Sequence, residues 1–260
     1  MDLGIFCKST LDGEVVDHCF SSLLGIGQNA DPSYLDWLMK AWGWTLAVAG
    51  LGLLIALVLG AVMGTLRTLP ADSTLSRWLV RLSTTWVELF RNIPILVQVF
   101  LWYHVIPAFI PPLKAFPSYL LVSIALGLFT SARIAEQVRA GIQSLPSGQK
   151  AAATALGLNT FQSYRYIILP MALRIVIPPL TSESMNLIKN SSVAFAVSVP
   201  ELTLFAMQAQ EETAHGVEIY LAVTFLYALS AFAVNRVMAY IEKRSRIPGF
   251  IVANSEAAAH

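Results

Sequence analysis

The chain has 260 residues, of which 56% are hydrophobic and 13% are charged, and its formal net charge at pH 7 is +1. Soluble domains carry roughly 25% charged residues, so this composition excludes an ordinary soluble protein and indicates an integral membrane protein. A net charge so close to zero gives no reason to expect a nucleic-acid partner.

The first 40 residues predict an extracytoplasmic extension. They are rich in aspartate and lack the apolar run of a secretory signal peptide. Both cysteines, Cys7 and Cys19, lie here, and they could pair if the segment faces an oxidising compartment. Pro32 indicates the start of a short interfacial helix over residues 33–40, whose Trp37 suits the lipid headgroup region.

Five segments are apolar and long enough to cross a bilayer, which takes about 20 residues in a helix. They lie at about 42–66, 83–110, 116–135, 174–199 and 219–240. Gly60 and Gly64 in the first segment have the spacing that lets membrane helices approach closely, although glycine is also ordinary in such helices. Pro178 and Pro179 predict a break in the fourth segment. The predicted fold is all-α, with five transmembrane helices.

The charges of the loops orient these helices. Lysine and arginine are concentrated after the first helix, after the third helix and in the C-terminal tail, whereas the N-terminal extension and the loop after the fourth helix are acidic. Positively charged loops remain in the cytoplasm. The pattern therefore predicts a periplasmic N-terminus and a cytoplasmic C-terminus, with residues 249–260 as a cytoplasmic tail.

The polar insert over residues 143–170 predicts a compact pair of helices. Residues 151–155 are rich in alanine and favour a helix. Gly157 can end that helix with a positive φ, and Thr160 can cap the next short helix. A rigid protrusion with small side chains suits docking of a soluble partner, and the alternative is an amphipathic helix that lies on the membrane.

The spacing within this insert resembles the EAA loop of ABC importer permeases, Glu-Ala-Ala-x3-Gly-x9-Ile-x-Leu-Pro. The alanines Ala151-Ala152-Ala153 lie six residues before Gly157, and Ile167-x-Leu169-Pro170 ends the motif. The motif's glutamate is Ala151 here, so an ionic contact through that carboxylate is absent. We therefore expect contact with an ATPase to depend on shape, backbone and the nearby Lys150 and Arg165.

Four further motifs resemble the polar amino-acid branch of this family, and in particular the permeases of glutamate/aspartate importers. They are Glu136-x-x-Arg139-x-Gly141-Ile142, Gly148-Gln149, Glu88-Leu-Phe-Arg91-Asn92-Ile-Pro94 and Lys189-Asn190-Ser191. The resemblance covers about residues 40–248 and implies a small type I importer fold, with a permease domain over residues 41–248 and cytoplasmic coupling helices. Glutamine, asparagine and other polar amino acids remain open as substrates.

The same resemblance implies an assembly in the lipid of the bacterial inner membrane. Its other members would be ATPase subunits that carry ATP-Mg, a second permease subunit that is identical or a paralogue, and a periplasmic amino-acid-binding protein. The residues of this chain that would contact the ATPase are Gly148, Gln149, Lys150, Ala151, Ala152, Ala153, Gly157 and Arg165.

Polar residues within the predicted helices are candidates for a substrate route, because charges inside a membrane usually face a cavity or another polar group. The candidates are Arg91, Asn92, Arg133, Glu183, Asn186, Lys189 and Asn190. For the two asparagines of the fourth helix, helix packing is an equally open interpretation.

Two of the candidate arginines have alternatives within their own helices. Arg91 lies three residues after Glu88, and an internal ion pair between them is open. Arg133 can pair with Glu136 or reach the cytoplasm, or it can hold a substrate carboxylate through two parallel hydrogen bonds.

The sequence contains no catalytic set, no metal-ligand spacing and no Gly-x4-Gly-Lys-Ser/Thr phosphate loop. We therefore expect no cofactor on this chain and ATP hydrolysis on a separate subunit. A secondary transporter or channel acting alone is the alternative class, but the internal repeats typical of it are not found. A membrane enzyme would need a nucleophile–base pair.

Overall fold

A computed structural model of the chain describes residues 3–11, 14–15, 33–70 and 72–245. Within those ranges the protein is helical, and its only β-structure is two isolated bridges, Lys8 with Val15 and Ser9 with Ser33. The α-helices are α1 (Tyr34–Leu66), α2 (Thr74–Asn92), α3 (Ile95–Phe100), α4 (Ile106–Phe109), α5 (Ser118–Gln143), α6 (Ser147–Ala155), α7 (Thr160–Ser163), α8 (Leu169–Asn190), α9 (Leu202–Thr213) and α10 (Gly216–Ser245). Shorter helical turns lie at Leu3–Cys7, Leu101–Val105, Pro111–Ala115, Tyr164–Ile168 and Ser191–Val197.

The predicted five spans are found as four long helical segments and one bent pair. The four segments are Tyr34–Leu66, Ser118–Gln143, Thr160–Val197 and Gly216–Ser245. The second predicted span, 83–110, is not a single helix, because α2 and the segment Ile95–Phe109 meet at an angle of 106°. Pro94 explains the break, since it lacks an N–H and restrains the residue before it to an extended backbone.

The short helix predicted over residues 33–40 is instead the first part of α1, which runs unbroken from Tyr34 to Leu66. Ser33 and Asp36 cap it reciprocally: the Ser33 N–H donates to Asp36 and the Asp36 N–H to the Ser33 hydroxyl, each at 3.2 Å. No glycine or proline follows before Gly43, so nothing ends the helix at the membrane surface. Pro32 lies outside the described residues.

The break predicted at Pro178 and Pro179 is also wrong, because α8 continues through both residues. Each proline removes one i→i−4 hydrogen bond. The flanking residues remain helical. The two prolines therefore leave two carbonyl groups of α8 without the backbone hydrogen bond that an N–H would make, but they do not end the helix.

The chain divides into two compact units, and α1, α5, α8 and α10 each contribute residues to both. The first unit comprises Met1–Ile55, Ile93–Phe129 and Asn186–Ala231, and the second comprises Ala56–Asn92, Thr130–Met185 and Phe232–His260. In the first unit, Ile5 of the N-terminal extension packs in a buried cluster with Leu38 of α1, Phe205 of α9 and Ile219 of α10. In the second unit, Val87 of α2 packs against Ala132 and Ala135 of α5.

The N-terminal extension is tied to the first unit. The Tyr34 N–H donates to the Lys8 carbonyl at 3.2 Å, and Ile5 is buried. Cys7 is disulfide-bonded. Its predicted partner, Cys19, and the predicted tail over residues 249–260 lie outside the described residues.

Candidate functional site

The predicted helix at the alanine run is α6, Ser147–Ala155, and Gly157 ends it with φ of 74°. The Leu158 N–H donates to the Ala153 carbonyl at 3.1 Å, and the Gly157 N–H donates to the Thr154 carbonyl at 3.0 Å. This pair of hydrogen bonds is the Schellman arrangement, in which a residue with positive φ closes the last turn of a helix. The prediction that Gly157 ends this helix with a positive φ is confirmed.

The N-cap of the second short helix lies one residue before the predicted cap, Thr160. Asn159, not Thr160, is the N-cap of α7: its side chain accepts from the Gln162 N–H at 2.9 Å, and the Asn159 N–H donates to the Gln162 side chain at 3.0 Å. Both prediction and structure place a capping residue here, but only Asn159 has the extended backbone that an N-cap needs. The chain then continues through Tyr164–Ile168 into α8 without a loop.

The loop over residues 143–170, hereafter the coupling loop, is anchored at two points. Ala153 is buried, and the hydroxyl of the buried Tyr164 donates to the Thr68 carbonyl oxygen and lies 3.2 Å from the Thr68 hydroxyl oxygen. Most of the predicted contact residues face outward: Gly148, Lys150, Ala151, Ala152, Gly157 and Arg165 are exposed, and Gln149 is half-buried. Because Ala153 is buried, it packs inside the protein and cannot contact a partner.

Three large side chains of the coupling loop are exposed and were not predicted as contact residues. They are Leu156, Phe161 and Tyr166. The spacing of the motif drew attention to its small residues, but exposure of a large side chain depends on how α6 and α7 pack. Large apolar and aromatic side chains are typical anchors of protein interfaces.

Arg133 forms an ion pair with Glu183 of α8, not with Glu136. Arg133 Nε donates to Glu183 Oε2 at 2.7 Å, and Arg133 Nη2 donates to Glu183 Oε1 at 3.1 Å. The carboxylate is buried, whereas the arginine side chain is partly exposed. Arg133 holds this carboxylate through two of its five N–H donors, so the two on Nη1 and the second on Nη2 are not used in the ion pair.

Arg91 contacts Glu136 and does not pair with Glu88. Its Nη1 lies 3.4 Å from Glu136 Oε1, and Glu88 is exposed. Glu136 also contacts Arg67 at 2.6 Å and Arg139 at 3.4 Å. None of these three contacts was predicted. Those of Arg67 and Arg91 join residues far apart in the sequence, whereas Arg139 lies three residues after Glu136 on the same helix.

The remaining candidates for a substrate route are not brought into that group. Asn92 is an exposed residue of the second unit, at the end of α2. Lys189 is exposed, and Asn186 and Asn190 are half-buried, in the first unit. In the part of the chain that the structure describes, no group of His, Cys, Asp or Glu side chains could hold a metal ion.

A buried carboxylate outside the spanning segments was also missed by the sequence reasoning. Glu201 is fully buried at the N-terminus of α9, where it accepts from the N–H groups of Thr203 at 2.9 Å and Leu204 at 3.0 Å. The Tyr227 hydroxyl donates to the same carboxylate at 2.7 Å. Burial raises the pKa of Glu201, and the three hydrogen bonds oppose that effect.

The long apolar helices define a multi-pass helical membrane protein, and its coupling loop has exposed small and large side chains. Residues 52–247 match the family described as "Binding-protein-dependent transport system inner membrane component". The chain belongs to this family. The resemblance to ABC importer permeases that the EAA-like spacing predicted is confirmed.

Two curated relatives illustrate the sequence similarity. The chain is 42% identical over 227 residues to the glutamate/aspartate import permease protein GltJ of Escherichia coli (strain K12), covering 84% of this chain and 90% of that protein. It is 36% identical over 200 residues to the probable glutamine ABC transporter permease protein GlnM of Bacillus subtilis (strain 168), covering 77% and 89%.

Two solved structures share the fold. One is a crystal structure of an amino acid ABC transporter with histidines, with a TM-score of 0.69, 24% identity and coverage of 86% of this chain and 98% of that chain. The other is an inward-facing conformation of the MetNI methionine ABC transporter, with a TM-score of 0.70, 20% identity and coverage of 81% and 97%. The predicted all-α permease fold is thereby confirmed.

Proposed function

We propose that this chain is a permease subunit of an ATP-driven importer that carries glutamate and aspartate across the bacterial inner membrane. The observation that supports this most is the 42% identity to the glutamate/aspartate permease over 84% of the chain. Arg133 adds a physical argument, because beyond its ion pair with Glu183 it keeps three N–H donors that suit a second carboxylate.

The test is uptake by the host after deletion of this chain alone. Loss of the uptake of labelled glutamate and aspartate, restored by the gene on a plasmid, is the expected result. If the uptake of glutamate and aspartate is unchanged and the uptake of another amino acid is lost, the transporter has a different substrate.

Glutamine is the second candidate substrate, since two of the relatives that support the family are glutamine permeases, at 36% and 30% identity. The same deletion strain distinguishes the two candidates. A glutamine importer would lose glutamine uptake and retain glutamate uptake.

The proposed partners are an ATPase, a second permease subunit and a periplasmic amino-acid-binding protein. On this chain the ATPase docks on the coupling loop, where Leu156, Phe161 and Tyr166 offer exposed apolar surface and Lys150 and Arg165 offer positive charge. This chain has Ala151 where the motif has a glutamate. Because that carboxylate is missing, exposed apolar side chains form a larger part of the contact. ATP binding and hydrolysis take place on that partner, and the coupling loop transmits its closure to the helices.

Copurification of the ATPase tests this docking surface. Phe161→Ala removes an exposed aromatic side chain of the coupling loop. Phe225→Ala removes another exposed aromatic side chain, from α10. We expect the first variant to lose the ATPase during purification and the second to retain it. Equal retention by both variants would place the ATPase elsewhere.

A further inference from the structure

Three guanidinium groups surround the single carboxylate of Glu136 near the C-terminal end of α5. Arg67 Nη1 lies 2.6 Å from Glu136 Oε1, Arg91 Nη1 lies 3.4 Å from the same oxygen, and Arg139 Nη1 lies 3.4 Å from Oε2. The three arginines come from the residue after α1, from α2 and from α5, so the tertiary fold assembles the group. We call these four residues the Glu136 cluster.

The arginines of the Glu136 cluster are not equivalent. The Arg67 side chain is 10% exposed and makes the short contact, so it is the structural partner of the carboxylate. Arg91 is 55% exposed and Arg139 is 39% exposed, and both contacts are at the long end of hydrogen-bond range. Each guanidinium has five N–H donors, so most donors of Arg91 and Arg139 face away from Glu136.

The ion pairs of the cluster do not balance its charge. Three positive charges meet one negative charge, and Glu88, the nearest acidic residue along α2, is an exposed residue that forms none of the ion pairs found among the described residues. Even with Glu88 counted, the group keeps an excess of positive charge. Arg133 lies one helical turn before Glu136 on α5, but Glu183 neutralises it.

The geometry points to an oxyanion-binding site at Arg91 and Arg139, whose ligand is the side-chain carboxylate of an acidic amino acid. This inference rests on the proposed function, since it takes the substrate to be glutamate or aspartate. Two guanidiniums offer the paired N–H donors that a carboxylate prefers. Glutamate carries a net charge of −1 at neutral pH and glutamine carries none, so the excess positive charge favours the acidic substrate.

The experiment measures how fast phenylglyoxal modifies individual arginines in the purified transporter complex, reconstituted in nanodiscs and read by peptide mass spectrometry. The probes are glutamate, glutamine and inorganic phosphate at equal ionic strength, in nanodiscs with and without anionic lipid. Exposed Arg244 at the end of α10 is the control for general effects on the reagent. We expect glutamate to slow modification of Arg91 and Arg139 at least about fivefold, with Arg244 unchanged.

Each arm has a defined reading. Protection by glutamate that exceeds protection by glutamine, in both kinds of nanodisc, supports the site. Protection by phosphate alone, protection that requires anionic lipid, or equal rates in all conditions overturns it.

A second readout separates ligand binding from a structural role. Arg91→Gln combined with Arg139→Gln should lower glutamate uptake at least about fivefold, and the corresponding pair of Lys substitutions should restore part of it. Loss of uptake with Gln and with Lys alike would mean that the arginines only hold the helices together. If the wild type imports no glutamate, the proposed function fails. If the wild type imports glutamate but glutamate does not protect its two arginines, the site fails and the proposed function stands.

Discussion

Arg133 is held in place by Glu183, and this contact decides how it can act on a substrate. Two of its five N–H groups are taken by the buried carboxylate, and the two on Nη1 and one on Nη2 remain. Lys at this position keeps the charge but loses the planar, two-pronged geometry. We expect Arg133→Lys to weaken glutamate uptake less than Arg133→Gln, and Arg133→Gln to shift preference toward neutral amino acids.

Competitive uptake of glutamate and glutamine at matched expression measures this shift. A change of about 1.4 kcal/mol in relative stabilisation changes the ratio of the two rates about tenfold. If the uptake of both substrates falls by the same factor, Arg133 has a structural role as the partner of Glu183.

The partners of the charged residues could not be predicted from the sequence. Spacing suggested Glu88 with Arg91 and Arg133 with Glu136, because residues three apart share a face of a helix. Side chains from other helices lie closer in the folded protein, so Arg91 contacts Glu136 and Arg133 contacts Glu183. Sequence reasoning identified Arg91, Arg133 and Glu183 as charges that need a polar partner, and only packing decides which partner.

The burial of Glu201 predicts how the stability of the fold depends on pH. Its pKa is raised by burial above the ordinary value of 4.5. A carboxyl group with a raised pKa in the folded state stabilises the fold fully below its unfolded pKa, and this contribution is lost as the pH rises through the folded pKa. Glu201→Gln carries no charge at any pH, so its stability should fall less as the pH rises above about 4.5.

The measurement is the thermal unfolding midpoint of the protein in detergent as a function of pH. Glu211→Gln, at an exposed position of the same helix, is the matched control and should leave the wild-type slope unchanged. A slope for Glu201→Gln equal to that of the wild type would show that Glu201 has the same pKa in the folded and unfolded states.

The turn between α6 and α7 depends on the backbone of one glycine. A Cβ at Gly157 would meet no atom within 4 Å, so the strain of a substitution comes from φ of 74° alone. Gly148, in the first turn of α6, is equally open but needs no positive φ. Gly157→Ala should cost roughly 1–2 kcal/mol in the stability of the turn, whereas Gly148→Ala should slightly stabilise the helix.

Hydrogen exchange of the α6 amides measures the local effect. Faster exchange in Gly157→Ala and equal or slower exchange in Gly148→Ala is the expected pair of results. Gly157→Val, with a branched side chain, should also uncouple ATP hydrolysis from uptake, and normal uptake by that variant would contradict the proposed role of the turn.

Close packing of α1 against α5 is the second element-scale prediction. A Cβ at Gly60 would lie 2.6 Å from the Cβ of Ile134 and 3.0 Å from the Ser131 carbonyl oxygen. Gly50, in the same helix, is exposed and has no atom within 4 Å of the added carbon. Gly60→Ala should therefore destabilise the protein by about 1–3 kcal/mol, whereas Gly50→Ala should stabilise it by up to about 1 kcal/mol.

Thermal unfolding of the two variants beside the wild type tests this difference. Equal stability would mean that α1 and α5 can separate slightly at no cost. The spacing of Gly60 and Gly64 predicted a close approach, and the structure identifies α5 as the helix that approaches.

Elements were predicted better than the angles between them. Apolar length was enough to find the long helices, because a spanning helix must satisfy its backbone internally. The second span was predicted to run unbroken through Pro94, whereas α2 and the next segment meet there at 106°, an angle that depends on what each half packs against. Pro178 and Pro179 carried the same local signal, and there the helix continues.

At the scale of the whole molecule, length and composition allow the bent pair of α2 and Ile95–Phe109 to be a broken span or a re-entrant loop. The packing of α1 against α5 favours a span, because Gly60 lies against Ile134 and Gly64 against Val138, so the two helices run in the same direction. Loop charges favour a crossing, because the arginines after α1 and those after α5 then lie on the same, cytoplasmic side. Leu11 and Leu156 lie before α1 and after α5, and they are matched in exposure at 74% and 76%.

Cysteine labelling at these two positions decides the topology. In intact spheroplasts, a membrane-impermeant maleimide should react with Leu11→Cys and should react with Leu156→Cys only after the membrane is broken. The reason is that three crossings, α1, the bent pair and α5, place the two positions on opposite sides. Wild-type protein gives the background, since Cys7 is held in a disulfide. Labelling of both variants in intact spheroplasts would make the bent pair a re-entrant loop, and labelling of Leu156→Cys alone would reverse the orientation of the chain.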